Sequence, residues 1–397
     1  MTTATATRPT QTRQRSRINI PATYVLGLSV TLLIVLGVII VADSSYAMAM
    51  SSKSEHVRHS PYYFAIKHLN WMIIGCIFLA CGMAIGHKNV RKLAFPMVVL
   101  TIIGLILTTH HATSEAVQDS RRWISILGFH AQPSELAKFA VAVFTASVLA
   151  RTDCKLKTNS LGLKITSAFA LLVAAVVAKE PDLGTAIIIT STYFCILLSA
   201  EPTQKQVTRL LTILLIAGLI FVGVKDGQKQ RVLTWLKQGV GTTADCYQTY
   251  HGRLGLGAGM VIGRGPGAGK EKHYLPEANS DFVFATVGEE FGFVGTSVVI
   301  LLFSCVTWAG LKIAKQAKDP YSRYLAMGIT CWITIQALIN MLVVTMTVPA
   351  TGVPLPFISY GGSALVMSMT GFGVLLSIGA NTQPPSRPRI RVERPSV

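Results

Sequence analysis

Asp281, Glu289 and Glu290 fall close together in the stretch YLPEANSDFVFATVGEEFGFVG, residues 274 to 295, where a polar loop runs into an apolar helix. A carboxylate at the margin of a low-dielectric region loses hydration. Its presence there points to a proton, a cation or a substrate to be handled rather than to folding. Asp281, on the loop side, is the first candidate for chemistry. Glu289 lies eight residues on, about 80° around a helix and roughly 12 Å along it, too far to share a proton with Asp281. Glu289 and Glu290 suit the ordering of a Lys or Arg instead.

Two further segments carry charge beside apolar runs. In SRRWISILGFHAQPSELAK, residues 120 to 138, the candidates are Arg121, Arg122, Trp123, Gln132, Glu135 and Lys138. Trp123 suits an interfacial aromatic belt, and Glu135 suits the N-terminus of a helix opened by Pro133. Lys138 follows Glu135 by three residues inside an apolar helix, so the two can pair while facing a cavity. The segment KEPDLGT adds Lys179, Glu180 and Asp182 at a tight turn. Capping explains Asp182 alone, and the set could complete a polar pocket.

The glycine-rich run GLGAGMVIGRGPGAGK, residues 255 to 270, fails the phosphate-loop pattern. Arg264 stands where its first glycine belongs and Glu271 replaces the Ser or Thr after Lys270. Flexible, anion-friendly backbone is the remaining expectation. Near the end, Asn340 lies inside an apolar run, and VPATGVPLPFISYGGSAL brings Pro and Gly breakers to membrane depth, which requires shielding by protein or a wet cavity. His56, His59, His110 and His111 have no ligand spacing that would make a metal site specific.

The elements that must position these residues are membrane helices. Hydrophobic residues make up 51% of the 397 positions, charged residues 14%, and mean hydropathy is +0.49, too apolar for a water-soluble core. Spanning runs are expected at 22 to 42, 69 to 86, 91 to 109, 134 to 150, 163 to 179, 183 to 200, 207 to 225, 282 to 311, 324 to 349 and 359 to 380. The expected fold is an all-α polytopic membrane protein of about ten transmembrane helices, with a large extracytoplasmic loop, 226 to 281, between the seventh and eighth. The run at 134 to 150 is short and charged, so on its own it also reads as a re-entrant or interfacial element.

With both termini in the cytoplasm, the inner side receives most of the 36 Lys and Arg and few of the 18 Asp and Glu, as the positive-inside rule requires. The net charge of +18 is therefore mostly topology and attraction to anionic lipids, and no nucleic-acid partner is implied. The seven cysteines show no CxxC spacing and read as packing residues. Arg13, Arg15 and Arg17 before the first run imitate a signal peptide, but the run is too long for one and reads as an uncleaved span. Residues 1 to 21 and 381 to 397 are expected as basic, disordered cytoplasmic tails around one membrane domain, 22 to 380.

Taken together, RRWI at 121 to 124, QPSELAK at 132 to 138, EPDLGTA at 180 to 186, YQ at 247 to 248, LPE and DF at 275 to 282, GEEFGFVG at 288 to 295 and PLPFISYGGSAL at 354 to 365 resemble the SEDS family. That family (shape, elongation, division and sporulation) comprises FtsW, RodA and SpoVE, and the resemblance covers about residues 22 to 380. It implies an inner-membrane glycosyltransferase that polymerises lipid II into peptidoglycan, working beside a class B penicillin-binding protein and the divisome. The tail before the first span, GEEFGFVG and the Lys270 and Lys272 pair are closer to FtsW, hence to septal synthesis, than to RodA-type elongation. The family's catalytic aspartate falls on Asp281. Gln248, Glu277 and Ser359 join the supporting residues through their motifs, with Glu135, Glu180, Asp182, Glu289, Glu290 and Asn340. Asn279 and Ser280 depart from the His-Thr that commonly precedes the aspartate.

Transfer of a diphosphate-activated sugar to a hydroxyl needs one base and cations for the departing diphosphate. A glycosidase would need two carboxyl groups flanking the bond. Asp281 suits the base; Arg121, Arg122, Lys138 and Lys272, with Trp123 beside them, suit the lipid-linked substrate, and a divalent cation is an admissible helper. The competing readings are a lipid II flippase, with Lys138 lining a path, and a non-catalytic scaffold.

Overall fold

The computed structural model describes residues 21–51, 57, 60–111, 122–126, 129–151, 161–180, 182–224, 226–236, 244–275 and 278–382. Both tails fall almost wholly outside these. The helices are α1 (Ala22–Ser51), α2 (Tyr63–Val90), α3 (Ala94–His111), α4 (Pro133–Arg151), α5 (Leu161–Lys179), α6 (Leu183–Ser199), α7 (Gln204–Val224), α8 (Asp226–Leu236), α9 (Ala244–Ala258), α10 (Val283–Gln316), α11 (Pro320–Val344) and α12 (Gly362–Thr382). Each of the ten expected apolar runs coincides with one of these helices, and α8 and α9 fall inside the long loop. By length and composition, seven stretches of the described residues can cross a membrane, with 63–109 counting as one and α6 falling just short. The chain is a multi-pass membrane protein.

One element departs from the all-helical expectation. Ile124–Ile126 (β1) pairs antiparallel with Phe129–Ala131 (β2) just ahead of α4. The alternation of β-branched and polar residues in WISI is a strand signal too short to separate from an interfacial loop by pattern.

The ambiguous run at 134 to 150 is the middle of the bundle. Helix α4 is continuous over 19 residues, buried along nearly every face and packed against α3, α5, α6 and α11. Its Ala, Ser and Thr content, which makes it look weakly apolar, is what lets four neighbours approach closely. Helix α1 shows the opposite pattern: Leu26, Val30, Leu33 and Ile40 face protein while Leu28, Leu32, Val35 and Ile39 are exposed. Apolar residues on both faces are expected where one side meets lipid. Helices α2 and α12 form the most intimate pair, with Gly373 against the Leu79 carbonyl where any Cβ would collide.

Helix α10 is broken at Gly292, whose φ of 65° and ψ of −160° are open essentially to glycine alone. The glycine-rich run is the other half of this break, which corrects the expectation of a flexible anion loop. Phe293 N donates to Met260 O (2.9 Å), Val294 N to Val261 O (3.1 Å), Arg264 N to Glu289 O (3.0 Å) and Gly265 N to Glu290 O (3.0 Å). Glycines at 259 and 263 are needed because a Cβ would strike the Gly288 and Glu290 carbonyls. Gly292→Ala is expected to cost about 1–3 kcal/mol of backbone strain, read as a lowered melting temperature of the detergent-solubilised protein.

Candidate active site

Asp281 sits in the turn just before α10, half-buried, with the Ser280 hydroxyl donating to its Oδ1 at 3.2 Å. Its backbone is pinned at three successive carbonyls by the segment between residues 340 and 360. Tyr360 N donates to Asn279 O (2.7 Å), Ser359 Oγ to Ser280 O (2.6 Å) and Asn340 Nδ2 to Asp281 O (2.7 Å). Asn340 also reaches Val353 O (2.8 Å), and Ser359 Oγ accepts from Leu355 N (2.7 Å). A buried amide and a buried hydroxyl thus fix the Pro-rich loop and the aspartate turn to each other. This supplies the shielding that breakers at membrane depth require.

Arg122 joins the aspartate across Gly352. A Cβ built on Gly352, whose φ is 67°, would lie 3.3 Å from Asp281 Oδ2 and 4.0 Å from Arg122 Nη1. The Arg122 Nε donates to Glu180 O at 3.2 Å. The Glu180 carboxyl accepts from the Thr108 hydroxyl of α3. Asp182 caps α6 through Thr185 N (3.0 Å) and accepts from Gln132 Nε2 (3.2 Å), while Gln132 N donates to Ser363 Oγ (3.1 Å). Gly184, on the first turn of α6, packs tightly on Thr351 and Val353. Four motifs distant in sequence therefore converge on one rim. Trp123 is 40% exposed next to Arg122. Arg121 and Glu277 lie outside the described residues, and Gln248 is half-buried on α9.

Burial pushes the Glu180 carboxyl up to about 7; the Thr108 hydroxyl and Arg122 oppose this and Asp182 adds to it. A folded pKa above the unfolded one means the folded state holds the proton more tightly. This group's contribution is thus largest below about 4.5 and is lost as pH rises through about 7. Relative to Glu180→Gln, the wild type is expected to lose melting temperature across that window and level off above it.

Two lysines expected at the substrate are placed otherwise. Lys138 is fully buried, bonded to Glu135 (2.8 Å) and to Gln336 Oε1 (2.7 Å), with Trp332 5.5 Å from its Nζ to the ring centroid. Gln336 in turn accepts from Trp332 Nε1 (2.9 Å) and donates to Pro354 O (2.9 Å). The pair does not face a cavity, and its charge is spent on holding the Pro-rich loop. Lys272 is likewise buried, bonded to Asp43 (2.5 Å) and Glu290 (2.8 Å). Burial alone would lower its pKa, but these two carboxylates outweigh that and raise it. Glu289 accepts from Lys270 N (2.7 Å) and Glu271 N (3.0 Å) and lies 3.5 Å from Arg264. The two glutamates therefore clamp the long loop onto α10.

Sequence reasoning passed over Gln336 and Asp43 and read Gly352 only as a helix breaker. The signals were present: a glycine between two prolines, an amide one helical turn before Asn340 in an apolar run, and the first acid after the first apolar run. Among the described residues no three His, Cys, Asp or Glu side chains gather to hold a metal ion.

The sequence profile of the cell cycle protein family FtsW, RodA and SpoVE matches residues 24–384. A probable peptidoglycan glycosyltransferase FtsW of Geobacter metallireducens is 33% identical over 343 residues, covering 86% of this chain and 90% of that one. Stage V sporulation protein E of Bacillus subtilis is 30% identical over 351 residues, 87% and 94% of the two chains. Among solved structures, a chain from a peptidoglycan synthase complex that coordinates polymerization and crosslinking superposes with a TM-score of 0.71 at 20% identity, covering 90% of this chain and 98% of that one. The rod shape determining protein RodA of Thermus thermophilus gives 0.63 at 18% identity, covering 90% and 97%.

Proposed function

The chain belongs to the FtsW, RodA and SpoVE family, and on that premise we propose that it is a peptidoglycan glycosyltransferase that polymerises lipid II into glycan strands for the division septum. The single observation that carries the assignment of the site is Asp281, locked through three carbonyls onto the Pro-rich loop and set across Gly352 from Arg122. That arrangement supports a reading with one base and one cation at a rim, as glycosyl transfer to a hydroxyl requires.

Asp281 takes the proton from the 4-hydroxyl of the acceptor GlcNAc as that oxygen attacks the anomeric carbon of the donor. The new C1–O4 bond forms as the C1–O bond to diphosphate breaks, with inversion, and the polyprenyl diphosphate leaves with the electron pair. Arg122, with Arg121 beside it in sequence, steadies the developing phosphate charge. Lys138 and Lys272 act through the backbone they hold. The reaction takes place at the outer face of the cytoplasmic membrane, with both termini inside, beside a class B penicillin-binding protein that cross-links the strands and with divisome proteins around it.

The test is polymer formation by the purified chain in vesicles carrying lipid II, with the partner's cross-linking blocked. Glycan ladders on a gel are expected. Lipid II that changes leaflet without forming polymer would favour a flippase instead.

A further inference from the structure

Among the described residues of the long loop, the tip of the glycine-rich turn is the most exposed run of large apolar side chains. Met260, Val261 and Ile262 are 81%, 61% and 81% exposed, and Phe293 and Val294, bonded to them through backbone, are 69% and 52% exposed. Three successive large apolar side chains directed away from the protein need a non-aqueous surrounding. The tip is also rigid. Met260 has a positive φ of 48°, and Gly263 N closes the turn on Gly259 O at 2.8 Å.

Position says what that surrounding is. Val294, Val298 and Leu301 continue the exposed stripe down α10, at helical spacing, into its membrane-crossing stretch. Asp43 marks the level. It is the first charge after the apolar run 22 to 42, about 31 Å of helix at 1.5 Å per residue, against a hydrocarbon core of about 30 Å. Asp43 bonds Lys272, and a Cβ on Gly267 would lie 3.4 Å from its Oδ1, so the turn and the end of the first span share one level.

We propose that Met260, Val261 and Ile262 form a wedge inserted into the lipid leaflet on the side of the long loop, to about 5–10 Å depth. The wedge anchors the loop to the bilayer at the break in α10, and Gly292 is the hinge point that lets the lipid-facing stripe widen there. Its occupant is lipid, because the patch is continuous with a stripe that already faces lipid.

An environment-sensitive fluorescent amino acid at position 261 avoids the seven native cysteines. In nanodiscs, its emission is expected to be blue-shifted, quenched by lipids carrying a nitroxide near the headgroup and protected from iodide. The same probe at Tyr250, exposed on α9, should be quenched by iodide. Met260→Asp with Ile262→Asp should abolish the nitroxide quenching at 261 while the protein still elutes as a folded species in detergent. Iodide quenching at 261 in the unsubstituted protein would overturn the proposal. So would lipid quenching unchanged by the two aspartates, or shielding that arises only when a partner protein is added.

Discussion

Asp281→Asn is expected to leave a folded protein that makes no detectable glycan polymer from lipid II, a loss on the order of 10²–10⁴-fold in rate. Asparagine keeps the size of the side chain and can still accept from the Ser280 hydroxyl, which donates to Oδ1 in the wild type. The three carbonyl anchors at Asn279, Ser280 and position 281 belong to the backbone and survive the change. The amide cannot take up the acceptor's hydroxyl proton. A polymer gel alongside a melting curve separates chemistry from folding: ladders vanish while the melting temperature holds. Persistence of ladders at wild-type rate would remove Asp281 from the mechanism.

Lys138→Met is expected to destabilise the protein by about 3–5 kcal/mol, because it leaves Glu135 charged and unpaired in the middle of the bundle. Lys138 is 0% exposed and Glu135 is 1% exposed, so water cannot replace the lost partner. Gln336 would also lose a donor at an oxygen it shares with Trp332 Nε1. A double variant, Lys138→Met with Glu135→Leu, should recover most of the stability. Denaturation in detergent reads both. A lysine that touched substrate would behave differently: its loss would raise KM and leave the unfolding curve in place.

The apolar runs were legible because hydropathy reports directly on the solvent around a helix, and each expected run found a helix. Pairings were legible where the partners are close in sequence, as for Lys138 with Glu135, and not where they are far apart. Lys138, inside a helix, and Lys272, in the long loop, looked like substrate ligands because a cation beside apolar runs advertises a need that its neighbours in sequence answer only in part. The second partner of Lys138 lies 198 residues away at Gln336, and that of Lys272 lies 229 residues away at Asp43. The glycine-rich run posed the same difficulty. Its glycines answer a backbone contact with Glu289 and Glu290, and composition alone cannot tell close approach to another chain segment from close approach to a ligand. Asp281 stood out because it sits on the loop side of an apolar helix and falls on the motif of the resembled family, although its anchors at Asn340 and Ser359 needed the fold to be seen.

Those anchors set the order in which the protein becomes competent during synthesis. The aspartate turn emerges from the ribosome well before Asn340, Ser359 and Tyr360 do. At about 5–20 residues per second, several seconds separate the two. Until the last helices enter the bilayer, nothing holds the carbonyls of Asn279, Ser280 and Asp281, and the nascent chain is a silent intermediate. Premature termination anywhere upstream of residue 340 would therefore yield an inert fragment rather than a deregulated one.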